Sequence, residues 1–394
     1  MFEELTFRNF LSFGPEAEPV RLGRLNVLVG PNGSGKSNFL DGIGLLAGCT
    51  RKGALGRMLA AGGGVDAWKH QSASRFGLSP SLESVVYWGD SHDSEVVEFE
   101  GRLRHHIELQ TGWGTGHFLY NEFLKEGLEP QSERLLFGYE RGSPFLVTRE
   151  GGKKILPEEA LNSHDSVLAQ IADPTEYSML AWIAQQYEGI RLYRDWTFGR
   201  SAGIRRPGAT DAASDYLHPD ASNLAMVING LKRVVRNRIV ERLQDLAPTF
   251  TGIETKVLAS TIQLFLLEGD HEISALRLSD GTLRYLAMLV MFLHPNPPPV
   301  TVIEEPELGL HPDLLPGLAR LMLDASARTQ IIATTHSDIL IDALTEHPEA
   351  IRVCEKDEGG TSIRPIDAAS LGDWLNEYGL GQSWLRGAIG GSRW

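Results

Sequence analysis

The sequence predicts an α/β fold with a mixed, mostly parallel sheet, joined to an antiparallel β meander and a helical insertion. Three observations carry this expectation. Apolar runs of strand length alternate with helical spacing at residues 25–46 and again from residue 273 onward, as in a parallel sheet covered by helices. Between residues 82 and 148, short segments alternate apolar and polar side chains with period two and are parted by Gly, Asp and Ser. Residues 158–186 and 221–246 show helical spacing, but no heptad pattern lasts long enough for a coiled coil.

Taken in order, the chain opens with a strand at 5–11 and a second at 25–29. Phe39, Leu40, Ile43 and Leu46 then recur at helical spacing, so residues 30–36 form a strand-to-helix loop. The meander follows over 82–88, 95–108, 117–123, 134–139 and 144–148. A stretch rich in Gly, Arg and Pro at 199–208 reads as a loop between the two helical regions. Beyond it come a turn at 278–281, a helix at 283–293, a proline-rich break at 295–299 and a strand at 300–303. A helix at 312–327, a strand at 330–334 and a helix at 338–344 complete the alternation. One head spanning 1–394 is expected, made of an N-terminal part with the meander (1–150), a helical insertion (151–270) and a C-terminal α/β part (271–394).

Composition narrows the function. With 394 residues, 42% hydrophobic and 22% charged, the chain has the make-up of a folded protein. A net charge of −14 argues against indiscriminate coating of nucleic acid, which feeds on clustered Lys and Arg. Residues 191–242 run against this trend, with ten basic and five acidic side chains. Cys49 and Cys354 are the sole cysteines, so a disulfide framework or zinc hook is excluded and any metal would be held by oxygen. Acidic Glu3 and Glu4 near the start, and a longest apolar run confined to 285–293, lead us to expect a cytoplasmic protein without a membrane span.

Gly30, Pro31, Asn32, Gly33, Ser34, Gly35, Lys36 and Ser37 fit the phosphate-loop pattern G-x-x-x-x-G-K-[ST], between a strand and a helix as that pattern requires. Glycines let successive backbone N–H groups turn toward a phosphate, and the helix that follows presents its positive end to the same anion. Lys36 is expected to neutralise β- and γ-phosphate oxygens, and Ser37 to offer its hydroxyl to Mg²⁺. A second constellation lies at the end of the 300–303 strand, where open α/β sheets bind ligands. Glu304 and Glu305, adjacent on a strand, should point to opposite sides and do different work. Glu304 is the candidate metal holder, and Glu305 the candidate base or water-positioning group. His336, at the end of the next strand, is placed to reach a γ-phosphate.

These residues resemble those of a known group. Leu278-Ser279-Asp280-Gly281-Thr282 resembles the ABC-type signature sequence. The string from Glu304 to Pro312 looks like the Walker B motif and D-loop of the RecF, SMC and OLD-like ATPases, and Thr334-Thr335-His336-Ser337 like their switch histidine. Lys36-Ser37-Asn38-Phe39-Leu40-Asp41 and Phe7-Arg8-Asn9-Phe10 fit the same group. The resemblance implies an ABC-type P-loop ATPase head with ATP and Mg²⁺ as cofactors. It also implies a homodimer in which Ser279 and Gly281 of one copy touch the γ-phosphate held by residues 30–38 of the other, Asn38 included. The sequence departs from the group in Glu304, where the wider ABC class has Asp, and in Asp280, which brings negative charge near a phosphate. Gln170 is preferred over Gln110 as the Q-loop glutamine.

Transporter engines end their Walker B motif differently, and SMC chains need long coiled coils. OLD nucleases append a Toprim domain, whereas 58 residues follow His336 here with no Asp-x-Asp pair. No intrinsic nuclease is expected. The leading expectation is an ATPase of bacterial DNA repair or anti-phage defence that controls a partner effector such as a nuclease in trans. Lys232, Arg233, Arg236, Arg238 and Arg242 form either its DNA contact or a solvated helix face, with the two readings level. The 200–206 loop could grip a partner chain, the helical insertion or nothing. Trp182, Tyr187, Tyr193 and Trp196 are expected in the core rather than as a base-stacking platform. The competing expectation is a slow-hydrolysing scaffold that stores an effector without touching nucleic acid.

Overall fold

The computed structural model describes all residues except 73–76, 90–99, 112–116, 128–131, 141–142, 195, 197, 367–377 and 391–394. At its centre the strand Leu25–Val29 is buried throughout and sends alternate side chains to opposite faces. Leu25, Val27 and Val29 enter one hydrophobic cluster and Leu28 enters another. Its neighbours divide likewise: Ile331, Ala333 and Ile303 face the first cluster, and Ile332, Val300 and Val302 the second. A sheet covered on both faces needs strands that are apolar on both sides, which is why these segments read as unbroken apolar runs.

The central sheet runs Ile190–Tyr193, Val300–Glu304, Gln330–Thr334, Leu25–Val29, Ile351–Asp357, Gly360–Pro365. The first five strands are parallel and the last is antiparallel. Register pairs Glu304 with Thr334 and Thr334 with Leu28, so three strands end together and their loops lie side by side. Helix Asp280–Leu293 covers one face, buried at every residue from Thr282 to Leu293, as a helix apolar all round must be. Leu315–Ser326 joins it. Helices Lys36–Gly48 and Ser178–Glu188 cover the other face, backed by the antiparallel sheet.

That sheet has eight strands among the described residues, ordered Val20–Arg21, Phe2–Arg8, Ser81–Gly89, Glu100–Thr111, His117–Gly127, Arg134–Glu140, Ser143–Val147, Lys153–Ile155. Each expected meander segment overlaps one of them, although residues 95–99 lie outside the described residues. Buried Glu122 pins the meander to its neighbours, accepting from Ser166 Oγ at 2.5 Å and Val167 N at 2.9 Å. It also pairs with His105 Nε2 at 3.0 Å, and His105 Nδ1 meets the Tyr187 hydroxyl at 3.1 Å. Tyr187 and Tyr193 are core residues as expected, and Trp182 and Trp196 pack partly buried against the clusters.

Several elements differ from expectation. The first strand is Phe2–Arg8, not 5–11, because Asn9 and Leu11 adopt φ of 55° and 49°, outside the extended region. Residues 158–186 are not continuous helix: Val167–Gln170 and Ser178–Glu188 are separated by a segment carrying Pro174, which a helix interior excludes. Residues 221–246 form two helices, Leu224–Gly230 and Arg233–Leu243, the first ending on a poor helix former. The span 151–270 also contains strands. Phe250–Leu258 and Thr261–Glu268 form a hairpin, extended on Thr261–Glu268 by Gly208–Ala209 and His271–Ser274.

Candidate active site

The phosphate loop leaves strand Leu25–Val29 and turns into helix Lys36–Gly48 through glycines that other residues would strain. Gly33 has φ 78° with open space where a Cβ would stand, and Gly35 caps the helix at φ 101° without any side-chain hydrogen bond to the cap. An uncapped helix start beside a glycine turn is a seat for an anion. Ser34 Oγ points the same way, being buried without a hydrogen-bond partner among the described residues. Pro31, Asn32 and Asn38 are partly or fully exposed around it. From below, the Thr361 hydroxyl donates to Ser34 O at 2.9 Å and meets the Ser12 hydroxyl at 2.7 Å, tying the loop to segments far apart in the chain.

Lys36 is 7% exposed, and its Nζ donates to Gly30 O at 2.8 Å and Pro31 O at 2.9 Å. Burial pushes its ammonium below the ordinary lysine value, against the opposing pull of Glu305 and Glu304. Ser37 Oγ donates to Glu304 Oε1 at 2.5 Å, joining the two groups expected to share a metal. Burial alone would raise the Glu304 carboxyl, but hydrogen bonds from Ser37 and Arg194 and the nearby positive charges hold it below the usual carboxylate range. A hydroxyl and an ionised carboxylate are hard oxygen donors that fit Mg²⁺.

Glu305 diverges from Glu304 for a reason other than the strand pleat. It has left the strand, with φ 46°, and its N–H reaches Thr334 O at 3.1 Å. A left-handed conformation at a non-glycine residue is strained, and such strain clusters at functional sites. Glu305 Oε1 lies 3.8 Å from His336 Nε2, so these candidates come together above the sheet. His336 is steered by a residue the sequence reading left without a role: Glu307 Oε1 accepts from His336 N at 2.9 Å and from Thr335 Oγ1 at 2.6 Å. Burial raises the Glu307 carboxyl above its ordinary value despite those two bonds.

The signature turn sits against the D-loop. Ser279 caps helix Asp280–Leu293, which begins three residues earlier than expected, and its Oγ accepts from Thr282 N at 3.0 Å. A Cβ on Gly281 would stand 2.9 Å from Gly309 O, and Arg284 Nη1 donates to Leu308 O. No hydrogen bond joins Ser279 or Gly281 to the phosphate loop among the described residues. Asp280 is neutralised by Arg205, itself 6% exposed. Arg205 also donates to Phe198 O at 2.9 Å, Ala275 O at 3.1 Å and Leu278 O at 2.6 Å. The 200–206 loop therefore grips the signature turn of its own chain.

Gln170, at the end of helix Val167–Gln170, accepts from Asn162 N and donates to Asn162 O and Asp165 O, and no hydrogen bond joins it to the phosphate loop among the described residues. Lys232, Arg233 and Arg236 stand elsewhere, on helix Arg233–Leu243 and its cap, with Lys232 and Arg233 exposed and Arg236 half-buried. Ile239 and Leu243 of that helix share a hydrophobic cluster with helix Asp280–Leu293, so the basic face backs onto the helix that the signature turn opens. Among the described residues no helix is long and apolar enough to cross a membrane.

Comparison with known proteins gives a family and a fold. The family model described as "AAA domain, putative AbiEii toxin, Type IV TA system" matches residues 25–85 and 137–342, which hold the phosphate loop, both glutamates and His336. The meander strands Glu100–Thr111 and His117–Gly127 lie in the unmatched 86–136. No curated protein matches the chain. An SMC head bound to the C-winged helix domain of ScpA is 15% identical over 93% of this chain and 98% of that one, with a TM-score of 0.53. The SMC head with an extended coiled coil, bound to the C-terminal domain of ScpA from Pyrococcus furiosus, gives 13%, 95%, 98% and 0.52. At these identities the likeness is one of fold. With the family model matching most of its length, the chain belongs to the AAA domain family described as putative AbiEii toxin of type IV toxin–antitoxin systems.

Proposed function

We propose that this chain is an ATP-hydrolysing switch that dimerises around ATP, one copy supplying the phosphate loop and the other its signature turn. The observation that carries this reading is the 2.5 Å bond between Ser37 and Glu304 beside an uncapped helix start, with Glu305 and His336 paired just above. Backbone N–H groups of residues 32–38 and the Lys36 ammonium hold the β- and γ-phosphates, with Pro31 shaping the loop. Ser37 and Glu304 would hold Mg²⁺, which would supply charge neutralisation at the phosphate oxygens. Glu305 orients the attacking water and takes its proton. His336, aimed by Glu307, reads the γ-phosphate.

Dimerisation is supported by the surface around the site. Leu276 beside the signature turn, Leu308 in the D-loop and Ile339 after the switch histidine are 57%, 56% and 37% exposed. Burying them against a second copy gives closure an apolar contribution that ATP completes. The test is Ser279→Arg, which places a long cation at the helix start that meets the opposite γ-phosphate. Monomer ATP affinity should be kept and ATP-dependent dimer lost in sedimentation analysis. Wild-type dimer and turnover in that variant would sink the sandwich.

We place the switch in bacterial DNA repair or defence, controlling a partner effector. The toxin–antitoxin description of the family and the ScpA-bound state of the similar SMC heads support control of a partner protein. The basic helix resting on helix Asp280–Leu293 supports DNA as the trigger. Double replacement of Arg233 and Arg236 by Glu should then abolish DNA stimulation of turnover, which in the wild type weakens as salt rises. Salt-insensitive ATP binding, no response to DNA and a co-purifying effector would instead favour a slow scaffold that stores its partner.

A further inference from the structure

Glu304 is approached from two sides. Ser37 Oγ takes Oε1, and Arg194 Nε donates to Oε2 at 2.8 Å. The same guanidinium donates through Nη1 to Asp41 Oδ1 at 2.5 Å and through Nη2 to Ser37 O at 3.4 Å. Arg194 follows the strand Ile190–Tyr193, which pairs with Val300–Glu304, so it bolts the end of one strand to the start of the phosphate-loop helix. Its side chain is 24% exposed, and both of its carboxylate partners are largely covered.

We propose that Arg194 is the specificity-determining residue of the cation site, selecting Mg²⁺ over Ca²⁺ by denying the ion a second oxygen of Glu304. The inference rests on the reading of Ser37 and Glu304 as the metal-holding pair. Ca²⁺ takes six to eight oxygens and accepts carboxylates bidentately at about 2.3–2.6 Å, whereas Mg²⁺ takes single oxygens at about 2.0–2.1 Å in an octahedron. A glutamate, one methylene longer than the aspartate common in ABC ATPases, can swing both oxygens onto a large ion. The fork of Arg194 occupies Oε2, and Asp41 stops the guanidinium from following the carboxylate. Its charge repels either divalent ion alike, so the ratio of affinities reports the clamp, and the absolute values do not.

The experiment uses the full chain and a non-hydrolysable ATP analogue, titrated calorimetrically with Mg²⁺, with Ca²⁺ and with EDTA, after melting curves confirm the fold of each variant. The wild type should bind the analogue more tightly with Mg²⁺ than with Ca²⁺. In Arg194→Met that ratio should fall by roughly tenfold, the scale of one lost charge-assisted hydrogen bond. Arg194→Lys keeps the charge without the fork and should fall between, and it carries the test alone should the Met variant not fold. An unchanged ratio in these variants, with metal dependence lost in Glu304→Gln, overturns the clamp and leaves the metal pair standing. Metal dependence that survives Glu304→Gln overturns both.

Discussion

Glu305→Gln is expected to bind ATP as the wild type does, to lose ~10²- to 10⁴-fold in turnover, and to accumulate as a dimer. The substitution keeps the shape of the side chain and the backbone bond from Glu305 N to Thr334 O, so the left-handed turn at φ 46° is retained. What disappears is a carboxylate able to take a proton from water. The residues assigned to nucleotide, namely the loop amides, Lys36, Ser37 and Glu304, are untouched. Binding and hydrolysis should therefore separate, with a loss of about 3 to 5 kcal/mol of transition-state stabilisation and little change in affinity. Phosphate release, filter binding of labelled ATP and sedimentation with ATP read the three quantities independently. Wild-type turnover would remove Glu305 from its role, and tight binding with no accumulated dimer would detach hydrolysis from subunit release.

The parts of the site legible in the sequence are those whose chemistry is local. A phosphate loop must be glycine-rich over eight consecutive residues, a strand-end acid pair follows an apolar run, and a helix cap is a serine three residues before its N–H donor. The strands at 25–29 and 330–334 were readable to the residue because burial on both faces leaves an unbroken apolar run. The braces were not readable, because they depend on which distant segments the fold brings together. Arg194 meets Glu304 across 110 positions, Arg205 meets Asp280 across 75, and Thr361 meets Ser34 across 327. Asp280 reads in sequence as a charge opposed to phosphate, and the fold places the Arg205 guanidinium against it. Glu307 stood inside a recognised motif, yet its hold on His336 N needs the neighbouring strand to be in register. The hairpin at Phe250–Leu258 and Thr261–Glu268 differs in kind: Ile262, Leu264 and Leu266 alternate as a half-buried strand should, and the signal is local although the neighbouring residues 221–246 carry helical spacing.

Lys36→Ala should abolish measurable nucleotide binding while leaving the fold intact. In the structure the ammonium does not wander: Gly30 O and Pro31 O hold it over the loop, so its entropy is largely spent before a phosphate arrives. Its removal forfeits about two charge-assisted bonds to phosphate oxygens, each worth about 1.5–3 kcal/mol, which together weaken Kd by roughly 10²- to 10⁴-fold. A second effect adds to the first, since the two carbonyl oxygens that the lysine had covered then face the anion and repel it. The cost to folding runs the other way. Burial already pushes this ammonium below the ordinary lysine value, so its desolvation opposes the folded state, and an alanine relieves that penalty while losing two carbonyl bonds. The melting temperature should consequently move little while titration with ATP goes flat, and without ATP bridging the subunits no dimer should form. A variant that melts like the wild type and still binds ATP with wild-type affinity would show that the loop of residues 30–37 is not where the triphosphate sits.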